Sequence, residues 1–219
     1  MEGTAVSITK KEVETKLLTF LLELLSNEGF ILKKKDKRIV RKTKTGFEDF
    51  GFHVLNYWPY CTEINSAGFS IRFDAVEEVI VPIEVRNGLR ASMEFAKTSI
   101  TVANSCKFNI KIFNEKDLDD FIRAHIDKIK EDGLSFFSKH NDISDVNVYY
   151  KDMILGDKEG IYNTITPIMT SLTLMGLCKD KDFDEMKIKY RQLLKPLHGM
   201  EKETFAAYND LVETLREIV

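Results

Sequence analysis

The sequence predicts an α+β protein: an N-terminal helix on a mostly antiparallel sheet, followed by a helical C-terminal part. Three observations carry this. Apolar residues recur at helical spacing up to Leu25, alternate with polar ones between Phe30 and Phe113, and return to the helical period after Asn114. Strands and helices are therefore segregated along the chain, which argues against a doubly wound parallel sheet. With 219 residues, 43% of them hydrophobic and 31% charged, the chain has material for one large domain or two small ones.

The first helix opens on Thr9 and Glu12, three apart as in a capping box. Val13, Leu17, Phe20, Leu21, Leu24 and Leu25 form its predicted stripe, widened by Leu18 and Leu22, and Asn27 with Gly29 supplies the stop. "FILKKKDKRIVRKT" reads as two short strands around a turn at Lys35–Lys37. "GFEDFGFHVLNYW" follows with Phe50, Phe52 and Val54 on one face and Leu55 and Tyr57 on the other, ending at "WPY" because proline cannot donate to a central ladder. In "SAGFSIRFDA", Phe69, Ile71 and Phe73 point one way and Ser70, Arg72 and Asp74 the other. A short helix is expected before Pro82, then strands near Phe95–Val102 and Lys107–Phe113.

Asn114 is an N-cap residue followed by Glu115 and Asp117, which suit a helix N-terminus. Leu118, Phe121, Ile122, Ile126 and Ile129 form the stripe of that helix, expected to end near Gly133, with "LSFFSKH" as a further short turn. Helices are expected near 146–154, 161–177, 183–194 and 201–218, the last with Phe205, Tyr208, Leu211, Val212 and Leu215 on one face. "SKHNDISD" is the expected boundary, giving a helix-plus-sheet domain over 1–140 and a helical region over 141–219. There is no internal repeat and no low-complexity segment.

Chemistry-bearing motifs are sparse. There is no G-x-G-x-x-G, no P-loop and no G-x-S-x-G. His53, His125, His140 and His198 are scattered and read as hydrogen-bonded structural residues. Cys61, Cys106 and Cys178 offer neither a CxxC spacing nor a disulfide framework, and read as reduced, mostly buried thiols. No metal or cofactor is expected, and an enzyme would need a site assembled from scattered residues such as His53, Glu63 and Asp74. The start has no signal-peptide pattern, and no apolar stretch is long enough to span a bilayer, so a cytoplasmic protein without a membrane partner is expected.

The net charge is −3, but "KKKDKRIVRKTK" (Lys33–Lys44) sets eight basic side chains against one Asp, so the other 207 residues sum to −10. Nucleic acid could use that cluster through Lys33, Lys34, Arg38 and Arg41, with Tyr57, Trp58 and Tyr60 as stacking platforms. The simpler reading is a solvated hairpin whose charges discourage edge-to-edge pairing. The acidic stretch Asp180, Asp182, Asp184 and Glu185 lacks the glycine turn and distant Glu of a calcium loop. It reads as helix capping, or as an acidic surface for a basic protein partner.

The run from "LLELLSNEGFILKKKDKRIVRK" through "FHVLNYWPYCTEINSAGFSIRFDAVEEVI", with "FFSKHNDISDVNVYY" beyond it, resembles a group of uncharacterised bacterial α+β domains. Some relatives of that group are assigned as immunity proteins of polymorphic toxin systems, which bind and block a toxin. The similarity covers the first two thirds of the chain, leaves out the helices after Gly160, and carries over no catalytic residues. It implies a non-catalytic intracellular protein that binds a protein partner. A nucleic-acid-associated protein and an enzyme are the alternatives.

Overall fold

The computed structural model describes residues 7–57, 59–93, 98–156, 165–194 and 199–218. Among these, seven α-helices and a five-stranded antiparallel sheet give an α+β protein. The order is α1 (Lys10–Leu24), β1 (Ile31–Lys33), β2 (Arg38–Lys42), β3 (Gly46–Tyr57), β4 (Cys61–Phe73), α2 (Asp74–Arg86), β5 (Val102–Ile112) and α3 (Glu115–Lys139). Four helices follow: α4 (Ile143–Leu155), α5 (Ile165–Leu177), α6 (Phe183–Leu193) and α7 (Glu201–Ile218). No described helix is long and apolar enough to cross a membrane.

The chain forms two compact units, one of residues 1–71 and 102–139, the other of 72–101 and 140–219. The linear division expected near residue 140 thus differs in one segment. Residues 72–101, with α2, group with the later helices, because α2 buries Val76, Ile80, Val81 and Ile83 and packs on α5 and α7.

In the first unit the strands lie in sequence order, β1-β2-β3-β4-β5. Helices α1 and α3 contact the sheet and each other. Thr9 and Glu12 close a capping box at the start of α1, which buries Val13, Leu17, Leu18 and Leu21, with Leu25 just beyond it. Phe20 and Leu24, placed on the stripe by spacing, are instead exposed at 39% and 36%, so the buried face is turned toward the 14/18/21/25 side. The dry centre is aromatic: Phe50 lies edge-on to Phe137 at 5.1 Å and to Phe30 at 5.4 Å, and Phe69 lies 5.4 Å from Phe136.

Helix α3 does not stop at Gly133 but runs on to Lys139, absorbing the "LSFFSKH" turn. The glycine is there for close approach. A Cβ at position 133 would sit 2.1 Å from Phe50 Cε1. Its N-terminus is closed as composition predicts: the Asp117 N–H donates to Asn114 Oδ1 at 3.1 Å, while the Phe113 N–H donates to Asp117 Oδ2 at 2.9 Å. Of the two strands expected around 95–113, the second lies within β5, which runs from Val102 to Ile112; the described residues 98–101 of the first form no strand, and its residues 95–97 lie outside the described residues.

In the second unit α5 is buried along most of its length and packs against α2, α4, α6 and α7. Helix α2 continues through Pro82, where a stop was expected. Pro82 and Glu78, four residues earlier, are both exposed, so the carbonyl that loses its intrahelical donor faces water. Buried carboxylates are matched with donors: Glu84 takes Arg90 Nε and Nη2 at 2.7 and 2.6 Å, and Glu77 takes the Thr101 hydroxyl at 3.0 Å.

Candidate functional site

Alternation along β2 sends Ile39 into the core and Arg38, Val40 and Lys42 to the opposite face. Arg41 is on the Ile39 side and meets its cross-strand partner Glu48, donating from Nε and Nη2 at 2.7 and 2.6 Å. Its Nη1 donates to the Glu28 carbonyl at 3.1 Å, and the guanidinium lies 4.6 Å from the Phe30 ring centroid. Arg38 donates to Asp49 at 2.8 Å, and the Ser70 hydroxyl donates to the other oxygen of the same carboxylate. Burial pushes the Asp49 carboxyl up from its usual range, against the opposing pull of Ser70 and Arg38. Lys37, at φ +53° in the turn, reaches Glu14 at 2.5 Å.

Three of the eight basic side chains in the stretch are therefore engaged by buried carboxylates of their own unit. Lys33, Lys34, Lys35, Lys42 and Lys44 are exposed and make no ion pair or side-chain hydrogen bond among the described residues. Tyr57 and Tyr60, 47% and 76% exposed, stand at the β3–β4 turn. Arg38 pairs with Gly51, so Tyr57 lies six residues, about 20 Å, farther along β3. The register thus separates the tyrosines from the arginines; Trp58 lies outside the described residues.

The acidic stretch is also internally matched. Lys151 of α4 donates to Asp180 at 3.0 Å and to Asp182 at 2.8 Å, and Asn147 adds a 2.7 Å bond to Asp180. Burial raises the Asp180 pKa, but the Asp182 N–H, Asn147 and Lys151 outweigh it and hold the carboxyl below its ordinary value. Asp184 pairs with Lys187, and Glu185 with Lys189 at 2.6 Å.

Among the described residues the histidines and cysteines join no group of three or more side chains able to hold a metal ion. His53 Nδ1 lies 3.1 Å from Asn65 Oδ1, and since an amide oxygen only accepts, the imidazole donates there. Asn65 in turn donates to Asn109 at 2.7 Å, at a β5 bulge where Asn109 adopts φ +56°. His125 packs against Phe108 and Phe121, with centroids 5.1 and 4.9 Å away, and the two phenyl rings also meet each other at 5.1 Å. His198 lies outside the described residues. Asp74 accepts from Arg72 at 2.6 Å at the start of α2, and Glu63 stands on β4 opposite Lys111. Burial and the neighbouring Asp132 carboxylate push the Cys106 thiol up to about 11, opposite to what a nucleophile needs.

The surface that spacing did not single out lies between α6 and α7. These helices bound a groove of about 370 Å³, lined by Lys187, Ile188, Arg191, Tyr208, Asn209, Val212, Glu213 and Arg216. Arg191 spans it, donating to Asn209 Oδ1 at 2.8 Å, with its guanidinium 5.4 Å from Phe205 and 5.8 Å from Tyr208. The Tyr208 hydroxyl donates to the Lys187 carbonyl, and burial pushes its pKa up to about 12. Ile188 is 59% exposed at the groove wall, and Val212 is half-buried. Arg216 makes no direct ion pair or hydrogen bond among the described residues and acts on Asp184 only at longer range. One signal could have found this surface. Phe183, Met186 and Tyr190 form the buried side of α6, and Ile188 stands on the opposite side of the helix, where an apolar residue has no core to serve.

No protein-family model, curated protein or solved structure matches the chain.

Proposed function

We propose that the chain is a non-catalytic protein-binding protein that docks its partner at the α6–α7 groove. One observation carries this: exposed Ile188 and unpaired Arg216 share a concave surface, whereas the acidic stretch 180–185 is matched by the chain's own lysines. An apolar side chain beside a guanidinium that has no direct ion pair, on a wall held by Arg191 and Tyr208, gives a partner both buried area and charge pairing. The resemblance to domains with immunity-protein relatives names the role, intracellular neutralisation of a toxin. The groove lies beyond Gly160, outside the stretch that carries that resemblance.

A second reading, nucleic-acid binding, is favoured by the five unpaired lysines of the β1–β2 region. The test is capture from native lysate, with and without nuclease, using three baits: the wild type, the Ile188→Asp/Arg216→Glu variant, and a Lys33→Glu/Lys34→Glu/Lys35→Glu variant. A stoichiometric protein partner that survives nuclease, is lost with the groove variant and is kept with the lysine variant supports the proposal. Recovery of nucleic acid, lost only with the lysine variant, overturns it in favour of the second reading.

A further inference from the structure

Resting on that reading, we infer that the α6–α7 groove takes an acidic segment of the partner protein, anchored by one apolar side chain set between carboxylates. The lining holds three cations, Lys187, Arg191 and Arg216, against one acid, Glu213. Lys187 is engaged by Asp184, Arg191 by the neutral Asn209, and Arg216 acts on the same Asp184 carboxylate only from beyond ion-pair distance, so neither guanidinium has an anion in direct contact among the described residues. Cations so placed favour carboxylates, and Arg presents donors in a fork that matches them.

The apolar part of the groove decides between classes of anionic partner. Ile188 at 59% exposure and the half-buried Val212 offer contact area that a phosphate backbone would not use. A peptide carrying an apolar residue flanked by Asp or Glu satisfies both the apolar wall and the two guanidinium groups. The volume of about 370 Å³ suits one such side chain with its neighbours, not a folded domain. The partner thus presents a projecting loop or a helix edge, and association is faster and tighter at low salt.

The test is to pan a random 12-residue phage-displayed peptide library on the full-length protein and measure enriched peptides by fluorescence polarisation. Expected are sequences of net negative charge with Leu, Ile, Phe or Met between acidic residues. Ile188→Asp and Arg216→Glu, both at exposed positions, should each weaken binding at least tenfold with unchanged circular dichroism. Moving from low to high salt should also weaken it. An Arg191→Glu/Arg216→Glu variant should lose the acidic peptides and gain Lys-for-Glu counterparts. Enriched peptides without acidic bias, or ones bound equally by the groove variants, would overturn the inference. A thymidine oligonucleotide that competes at the groove while no acidic consensus emerges would do the same. If the lysate partner still binds the groove variants, the docking reading itself has failed; if it is lost with them but no acidic consensus is found, only the inference about charge has.

Discussion

Arg41 and Lys34 are seven residues apart in the same basic run, yet their surroundings differ in kind. Arg41 neutralises Glu48, whose side chain is only 8% exposed, while Lys34 stands in water. Arg41→Ala should cost about 3 kcal/mol in urea unfolding, because it leaves a buried carboxylate unpaired. Lys34→Ala should change stability by no more than about 0.5 kcal/mol. Equal effects would refute the assignment of Arg41 to the fold. It follows that reversing Arg38 and Arg41 together with the lysines confounds unfolding with lost binding; only the exposed lysines test nucleic-acid contact. Gly133 is decided by the same kind of contact. Alanine would gain up to about 1 kcal/mol of helix propensity, but its Cβ would overlap the Phe50 ring. That ring is 1% exposed and hemmed in by Phe30, Phe69 and Phe137, so it cannot yield. Gly133→Ala should therefore destabilise by about 2 kcal/mol net, and Phe50→Leu in the same chain should recover part of the loss. A variant as stable as the parent would show that the helix can move away from the sheet.

At the scale of the element, cap chemistry and hydrophobic period place the helices well. Thr9, Asn114 and Asp142 each cap the helix that follows them. What local pattern misses is which side of an element finds cover. Phe20 and Leu24 share the helical period of α1 with Leu17 and Leu21 but face away from the sheet, and Pro82 ends nothing because the carbonyl it leaves without a donor faces solvent. The join between α4 and the α5–α6 connection is electrostatic, through Lys151 with Asp180 and Asp182. The native Asp180 pKa is lowered, so the fold binds fewer protons there than the unfolded chain does. Its contribution is present above the unfolded carboxylate pKa and is lost as pH falls through the native one. Asp180→Asn should therefore cost about 1–2 kcal/mol at neutral pH and measurably less at about pH 3, below the unfolded carboxylate pKa. Urea titrations at both values check this, and a pH-independent gap would mean that the amide is failing for steric reasons instead.

For the whole molecule, the chain leaves the sheet unit after Ile71 and returns to it at Val102, two residues that face each other across β4 and β5. A fragment of residues 1–140 would carry α2 without the α5 and α7 that cover it, exposing Val76, Ile80, Val81 and Ile83. It should bind a hydrophobic dye and aggregate. Joining Ile71 directly to Val102 through a two-residue Asn-Gly turn should give a soluble sheet fragment with sharp unfolding. If both fragments behave alike, α2 does not depend on the later helices. Segregated periods along the chain were enough to establish α+β class, the helix–sheet–helix order and most element positions, because each follows from spacing within a dozen residues. Composition also located the two charged runs. Long-range contacts settled the rest: that Arg38, Arg41, Asp180 and Asp182 are bound internally, that residues 72–101 belong with the helices, and that Ile188 and Arg216 converge on one groove. Whether a charge or an apolar side chain is satisfied depends on which distant residue packs beside it, and no local spacing encodes that.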